Sequence, residues 1–122
     1  MDTILYFQSP TKTSAPDKIA GVRRHAAVAE WHVQTVDGIP SPKALAGLVS
    51  FWHPLGIILD CGGGYQESPT DLFAGLPTVY LDRKPRTMPA DTSCVSHDSV
   101  ATGQLAAKEL LVAGHPNFAF VP

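Results

Sequence analysis

Charge is scarce in this chain: only 16% of its 122 residues are Asp, Glu, Lys or Arg, and the formal net charge is −2. Proteins that bind nucleic acid normally gather basic residues on one face. Here the only basic groups close in sequence are Arg23-Arg24 and Arg83-Lys84 with Arg86, which read as solvated helix and loop charges. Long apolar runs are missing too. No segment reaches the ~18 apolar residues that a bilayer crossing needs, and no basic, apolar, then small-residue leader is present. Cysteine is limited to Cys61 and Cys94, which fits a reduced, cytoplasmic protein. The histidines (His25, His32, His53, His97 and His115) lie far apart without paired ligand spacing, so no metal is expected; no cofactor is expected either. Cys61-Gly62-Gly63-Gly64 lacks the lysine and Ser/Thr of a P-loop and fails Gly-x-Gly-x-x-Gly. There is no internal repeat, no low-complexity tract and no linker between domains.

What is present is an apolar content of 44%, that of a globular domain, laid out as alternating strand and helix. Residues 1–122 read as one domain with a single moderate core. Thr3–Ser9, β-branched and aromatic before a Ser-Pro turn, makes a first strand. Ser14, Pro16 and Asp17 mark a helix start, after which Ile19, Val22, Ala26 and Ala29 share a face. Trp31–Val36 is a second strand, closed by Asp37-Gly38. Pro42 opens a second helix, with Ala44, Leu45, Leu48, Val49 and Trp52 at helical spacing. Gly56–Asp60 is a third strand, apolar until its last residue. The glycine-rich loop then leads to a short helical turn near Asp71–Ala74.

Thr78–Leu81 is a fourth strand, and Arg83–Thr92, with Pro85 and Pro89, an extended loop. After a fifth strand at Ser93–Ser96, Asp98 or Ser99 caps a third helix. Val100, Gly103, Ala107, Leu110 and Gly114 share its apolar face. Gly114 suits a left-handed cap and Pro116 blocks continuation. Phe118–Val121 reads as a sixth strand, buried on both faces. The expected fold is α/β: a parallel sheet of five or six strands with helices on both faces.

Right-handed crossovers place the loops after Gln8, Val36, Asp60, Leu81 and Ser96 on one edge, the edge where open α/β sheets bind ligands. It collects Ser9, Asp60, Cys61, Asp82, Arg83, His97 and Asp98. Carboxylates and a guanidinium hold sugar hydroxyls through charge-assisted hydrogen bonds. Plainer roles stand beside that one: Asp98 as a helix cap, Asp82-Arg83 as a surface ion pair, Trp31 and Trp52 as packing groups. A nucleophilic Cys61 beside His97 would make a small flavodoxin-like enzyme. A flexible glycine loop that tolerates close backbone approach is the better reading of that segment, and no catalysis is expected.

Residues 94–122 also carry a resemblance. The order strand, His97-Asp98, six residues, Ala-Ala-x-x-Leu-Leu, x-x-Gly-His, x-Asn-Phe-Ala-Phe-Val resembles the sensor domain of LacI-type sugar-responsive transcription regulators. Leu76–Arg83 and Pro54–Asp60 are similar to two earlier strands of that family. The resemblance implies one lobe of a periplasmic-binding-protein-like fold, the N-terminal half of a two-lobe sensor. It also implies a small sugar effector, with Asp98, Asp82 and Arg83 as contacts; Ser9, Asp60 and His97 join them as expected ligand contacts through their place at the edge. The position two before Pro77, often polar in the family, is Gly75 here. No helix-turn-helix is present, so DNA contact would come from a domain outside these residues, and twofold DNA sites imply a homodimer. Trp31-His32-Val33-Gln34 looks like the xylose-regulator branch, with an AraC-type DNA-binding domain and a pentose effector. The alternative with the same fold is the solute-binding component of a sugar transporter.

Overall fold

In the computed structural model, residues 1–8, 15–60, 75–82, 93–119 and 121 are described. The sheet is built outward from β1 (Asp2–Gln8), whose Leu5, Tyr6 and Phe7 have no solvent exposure. Parallel strands need cover on both faces, which is why this strand is apolar almost throughout. On one side β1 pairs with β2 (Trp31–Asp37), on the other with β3 (Gly56–Asp60). Beyond β3 lie β4 (Thr78–Leu81) and β5 (Ser93–Val95). All pairs are parallel, in the order β2-β1-β3-β4-β5.

The chain steps from β1 to β2 through α1 (Ala15–Ala29), then back across β1 to β3 through α2 (Pro42–Trp52). Because both crossovers are right-handed, opposite directions of travel put the two helices on opposite faces. The register assigns side chains to those faces, since neighbours along a strand point to opposite sides. Leu5, Phe7, Ile57, Leu59 and Tyr80 form one buried cluster with Leu45 of α2. Ile4, Tyr6, Ile58 and Asp60 take the other face, where α1 supplies the buried Ile19 and Ala26. The tryptophans follow the same division. Trp31 meets His25 of α1 edge-on at 5.5 Å, and Trp52 of α2 stacks on His32 at 5.3 Å.

Helix ends follow local chemistry. Ser41 Oγ accepts from the Ala44 amide at 3.2 Å and Pro42 occupies the first turn, where its missing donor costs nothing. In α3 (Ser99–Val112), Asp98 is the cap, its Oδ1 accepting from the Ala101 amide at 3.0 Å. At the other end Gly114 has φ +84°, and the amides of Gly114 and His115 donate to the Leu111 and Leu110 carbonyls. That double bond pattern is a Schellman stop, which favours glycine at the left-handed position.

Two expectations need correction. Residues 117–119 and Val121 form no strand and Phe120 lies outside the described residues, so the described residues hold five strands, the lower of the two numbers expected. The neighbouring β5 spans only three residues, all exposed, and offers neither the ladder nor the two-sided cover that an apolar run needs to become a buried strand. The apolar face expected on α3 is likewise uncovered: the helix has no buried residue, and Val100 and Leu110 of that face are 71% and 36% exposed. Helical period identifies residues that share a face; it does not say what lies against them. The helical turn expected near Asp71–Ala74 and the loop Arg83–Thr92 lie outside the described residues. No helix among the described residues is long and apolar enough to cross a membrane.

One close backbone approach holds β3 against the entry to β4. The Ile57 amide donates to the Pro77 carbonyl at 2.8 Å, and a Cβ on Gly56 would sit 3.1 Å from that same oxygen. Gly56→Ala is therefore expected to lose about 1–3 kcal/mol, the usual cost of overpacking a tight site. Urea unfolding monitored by far-UV circular dichroism checks this; an unchanged midpoint would mean that the strand shifts freely.

Candidate functional site

Order β2-β1-β3 reverses direction at β1, so the carboxyl ends of β1 and β3 flank a crevice from which the chain departs to opposite faces. Such switch points are where open α/β sheets receive ligands. Asp60, the last residue of β3, lies there with 0% exposure. A carboxylate taken out of water needs a cation or several donors, and α1 supplies the cation. Lys18, in the first turn of that helix, places Nζ 3.0 Å from Asp60 Oδ1 and 2.6 Å from Asp82 Oδ2.

Asp82 follows β4 directly with φ +56°, and its amide donates to the Val95 carbonyl at 2.8 Å. Left-handed backbone is uncommon outside glycine but is tolerated by Asp and Asn. On its far side, His97 Nε2 lies 3.7 Å from Asp82 Oδ1. One ammonium thus ties together the first turn of α1, the end of β3 and the turn after β4.

Tyr6 sits beneath this cluster on the same face of the sheet. Its hydroxyl is buried and has no hydrogen-bond partner among the described residues. Desolvation, reinforced by the Asp60 charge and then partly offset by Lys18, pushes the phenol up to about 12. Burial disfavours the charged form of Lys18, but hydrogen bonds to Asp82 and Asp60 outweigh it, so its pKa rises above the ordinary lysine value.

Beside the cluster is a cavity of about 170 Å³ lined by Lys18, Leu81, Asp82, Val95, Ser96 and His97. That is smaller than the roughly 300–1,000 Å³ of sites for drug-sized ligands, so it suits one small molecule. A second, larger groove of about 420 Å³ runs along α1 over Trp31, Ile58 and Leu81.

Of the residues expected at this edge, Asp60, Asp82 and His97 are brought together. Asp98 is the cap of α3, and its side chain accepts from that helix. Ser9, Arg83 and Cys61 lie outside the described residues, and Asp82 takes Lys18 as its ion-pair partner. Sequence reasoning missed Lys18 and Tyr6. Lys18 carried a usable signal: in a strand–helix unit the first helical turn starts at the carboxyl edge, so a lysine there can reach carboxylates at neighbouring strand ends. Tyr6 carried none, because an aromatic residue in a central strand reads as core. No group of three or more metal-ligating side chains occurs among the described residues.

No protein-family model and no curated protein matches this chain. Among solved structures, the XylFII molecule matches it with a TM-score of 0.59 and 22% sequence identity, covering 93% of this chain and 44% of its own length. The likeness concerns the fold. The architecture is that of one lobe of a periplasmic-binding-protein-like fold, and the chain spans less than half the length of the XylFII molecule.

Two outcomes follow from these contacts. Tyr6 and Lys18 both hold their protons more tightly folded than unfolded. Their contribution to stability is therefore complete below the ordinary tyrosine value of 10.0 and is lost as pH climbs toward about 12. Urea midpoints measured from neutral pH upward should fall in that window, and Tyr6→Phe should flatten the fall; a flat wild-type profile would contradict the buried phenol. Separately, Asp98→Ala should cost about 0.5–2 kcal/mol through loss of the cap, whereas Asp98→Ser should restore most of it. Equal losses in the two variants would show that Asp98 does more than cap.

Proposed function

We propose that this chain is the N-terminal lobe of a two-lobe, cytoplasmic sugar sensor that regulates transcription. A small sugar binds at the carboxyl edge of its sheet, between the two lobes. The observation that carries the reading is the placement of Asp60 at the switch point and of Asp82 at the end of the adjoining β4, both held in fixed geometry by Lys18. Ionised carboxylates are acceptors only, and a polyol offers donors on every carbon. Fixing both acceptors before the ligand arrives lowers the ordering cost of binding. His97, 74% exposed at the rim, supplies a further polar contact.

In this reading the sugar contacts both lobes better when they are closed, so it shifts the population toward the closed form. That closure alters the spacing of DNA-binding domains carried elsewhere in a homodimer. A solute-binding component of a sugar transporter would use the same edge in the same way. The resemblance of residues 94–122 to LacI-type sensors favours the regulator.

Titration calorimetry of the full chain with D-xylose tests the site. Asp82→Ala is expected to weaken binding by about tenfold or more, the equivalent of one charge-assisted hydrogen bond. Equal affinity in the variant would remove Asp82 from the ligand site.

A further inference from the structure

Resting on the sugar-binding reading, a regulatory inference comes from the way Asp82 divides its two oxygens. Oδ2 takes the Lys18 ammonium at 2.6 Å, whereas Oδ1 faces His97 Nε2 at 3.7 Å. The first is the distance of a charge-assisted hydrogen bond, and the second is too long for any hydrogen bond. Asp82 and His97 both line the cavity of about 170 Å³. Oδ1 is therefore the acceptor that a small ligand meets there, with an imidazole standing beside it.

Histidine is the side chain whose charge ordinarily turns over between about pH 5 and 8. The groups around His97 come from several elements. Asp82 comes from the turn after β4, and α1 sends Lys18, whose ammonium also serves Asp60. Next along the chain stand Asp98, the cap of α3, and the positive end of that helix. Val95 and Ser96, at the end of β5, carry no charge. Lys18 and Tyr6 both titrate above their ordinary values, so neither changes charge below pH 8. Among the described residues lining the cavity, His97 is the one suited to change charge in that range.

We propose that His97 makes ligand binding at this edge pH-dependent, because its imidazolium and the ligand compete for Asp82 Oδ1. The neutral ring has no charge to draw it onto the carboxylate. Oδ1 then stays open, and the ring offers one donor and one acceptor to a sugar hydroxyl. Once protonated, the ring has only donors and carries a charge opposite to that of Asp82. A small rotation of this 74% exposed side chain closes 3.7 Å to the roughly 2.7–2.9 Å of a charged pair. That movement takes the acceptor and narrows the mouth of the cavity. The sign follows from linkage: a ligand that prefers neutral His97 displaces its proton, so affinity falls as pH falls and levels off at alkaline pH.

The test is titration calorimetry of the full chain with D-xylose between about pH 8 and about pH 5.5. Running each pH in two buffers of different ionisation enthalpy reads the protons released as well as the affinity. Affinity is expected to fall about three- to tenfold over that range, the factor produced when roughly two thirds to nine tenths of the molecules are in the closed, protonated form. Proton release should accompany binding at the acid end. His97→Gln, polar but without a charge to gain, should lose both the slope and the proton release, whatever affinity it keeps. His25→Gln, at the separate groove along α1, should retain both. If His97→Gln binds too weakly to titrate, the ring signals of His97 in the wild type decide: adding D-xylose near pH 6 should move them toward the neutral form. Unmoved signals, a flat wild-type profile or a slope that survives in His97→Gln would overturn the switch while leaving sugar binding intact. Absence of D-xylose binding at every pH would remove the sugar reading itself, and this inference with it.

Discussion

A fully buried carboxylate has to be met by charge or by donors, and Asp60 is the residue that imposes this on the fold. It ends β3 with no exposure, and Lys18 reaches it from the start of α1. That demand fixes where α1 begins relative to the sheet, because a four-carbon side chain spans little more than the gap between a helix and the strand ends it covers. The same ammonium also takes Asp82, so the turn after β4 is tied to the same point. Removing a buried charge's partner is typically far more costly than the pair is worth in stability. The cluster therefore acts less as glue than as a constraint on which arrangement of helix and strands is acceptable.

Much of the architecture was legible because its signals are local. The β-branched run at Thr3–Gln8, the apolar segment Gly56–Asp60 and the turn residues between them specify strands without reference to anything distant. Alternation of strand with helix then implies a parallel sheet, and crossover handedness gives the binding edge. Gly114 and Asp98 announced the limits of α3 for the same reason, since caps are decided within a few residues. Phe118, Ala119 and Val121 are not in a strand, because strand formation there depends on a neighbour. An apolar tetrapeptide has the composition of a buried strand whether or not a ladder and two covering layers stand beside it.

The site was only half legible, and the division follows chemistry. Carboxylates at strand ends stand out in an otherwise apolar pattern, which is how Asp60 and Asp82 were found. The partner that organises them lies 42 residues before Asp60 in sequence, and its one signal, a place in the first turn of a helix that follows a strand, comes from topology and not from the residues around it. Asp98 shows the converse: its short carboxylate next to a helix start served two readings equally, and the contact to Ala101 gives it the capping role. The likeness to the XylFII molecule bears on the lobe as a whole and leaves the individual residues to the geometry.

The backbone at Asp82 has a consequence for how this edge can vary. With φ at +56°, the position admits glycine, asparagine and aspartate readily and resists nearly everything else. Glutamate would carry the same charge and still be a poor replacement, because its longer side chain gains nothing from the local hydrogen bonding that lets short polar residues adopt this shape. Chemical variation at the crevice is therefore channelled: a change in ligand preference can proceed through Lys18 or His97, which sit on ordinary backbone by this measure. At Asp82 the alphabet is short, and each of its letters alters the charge or removes the side chain.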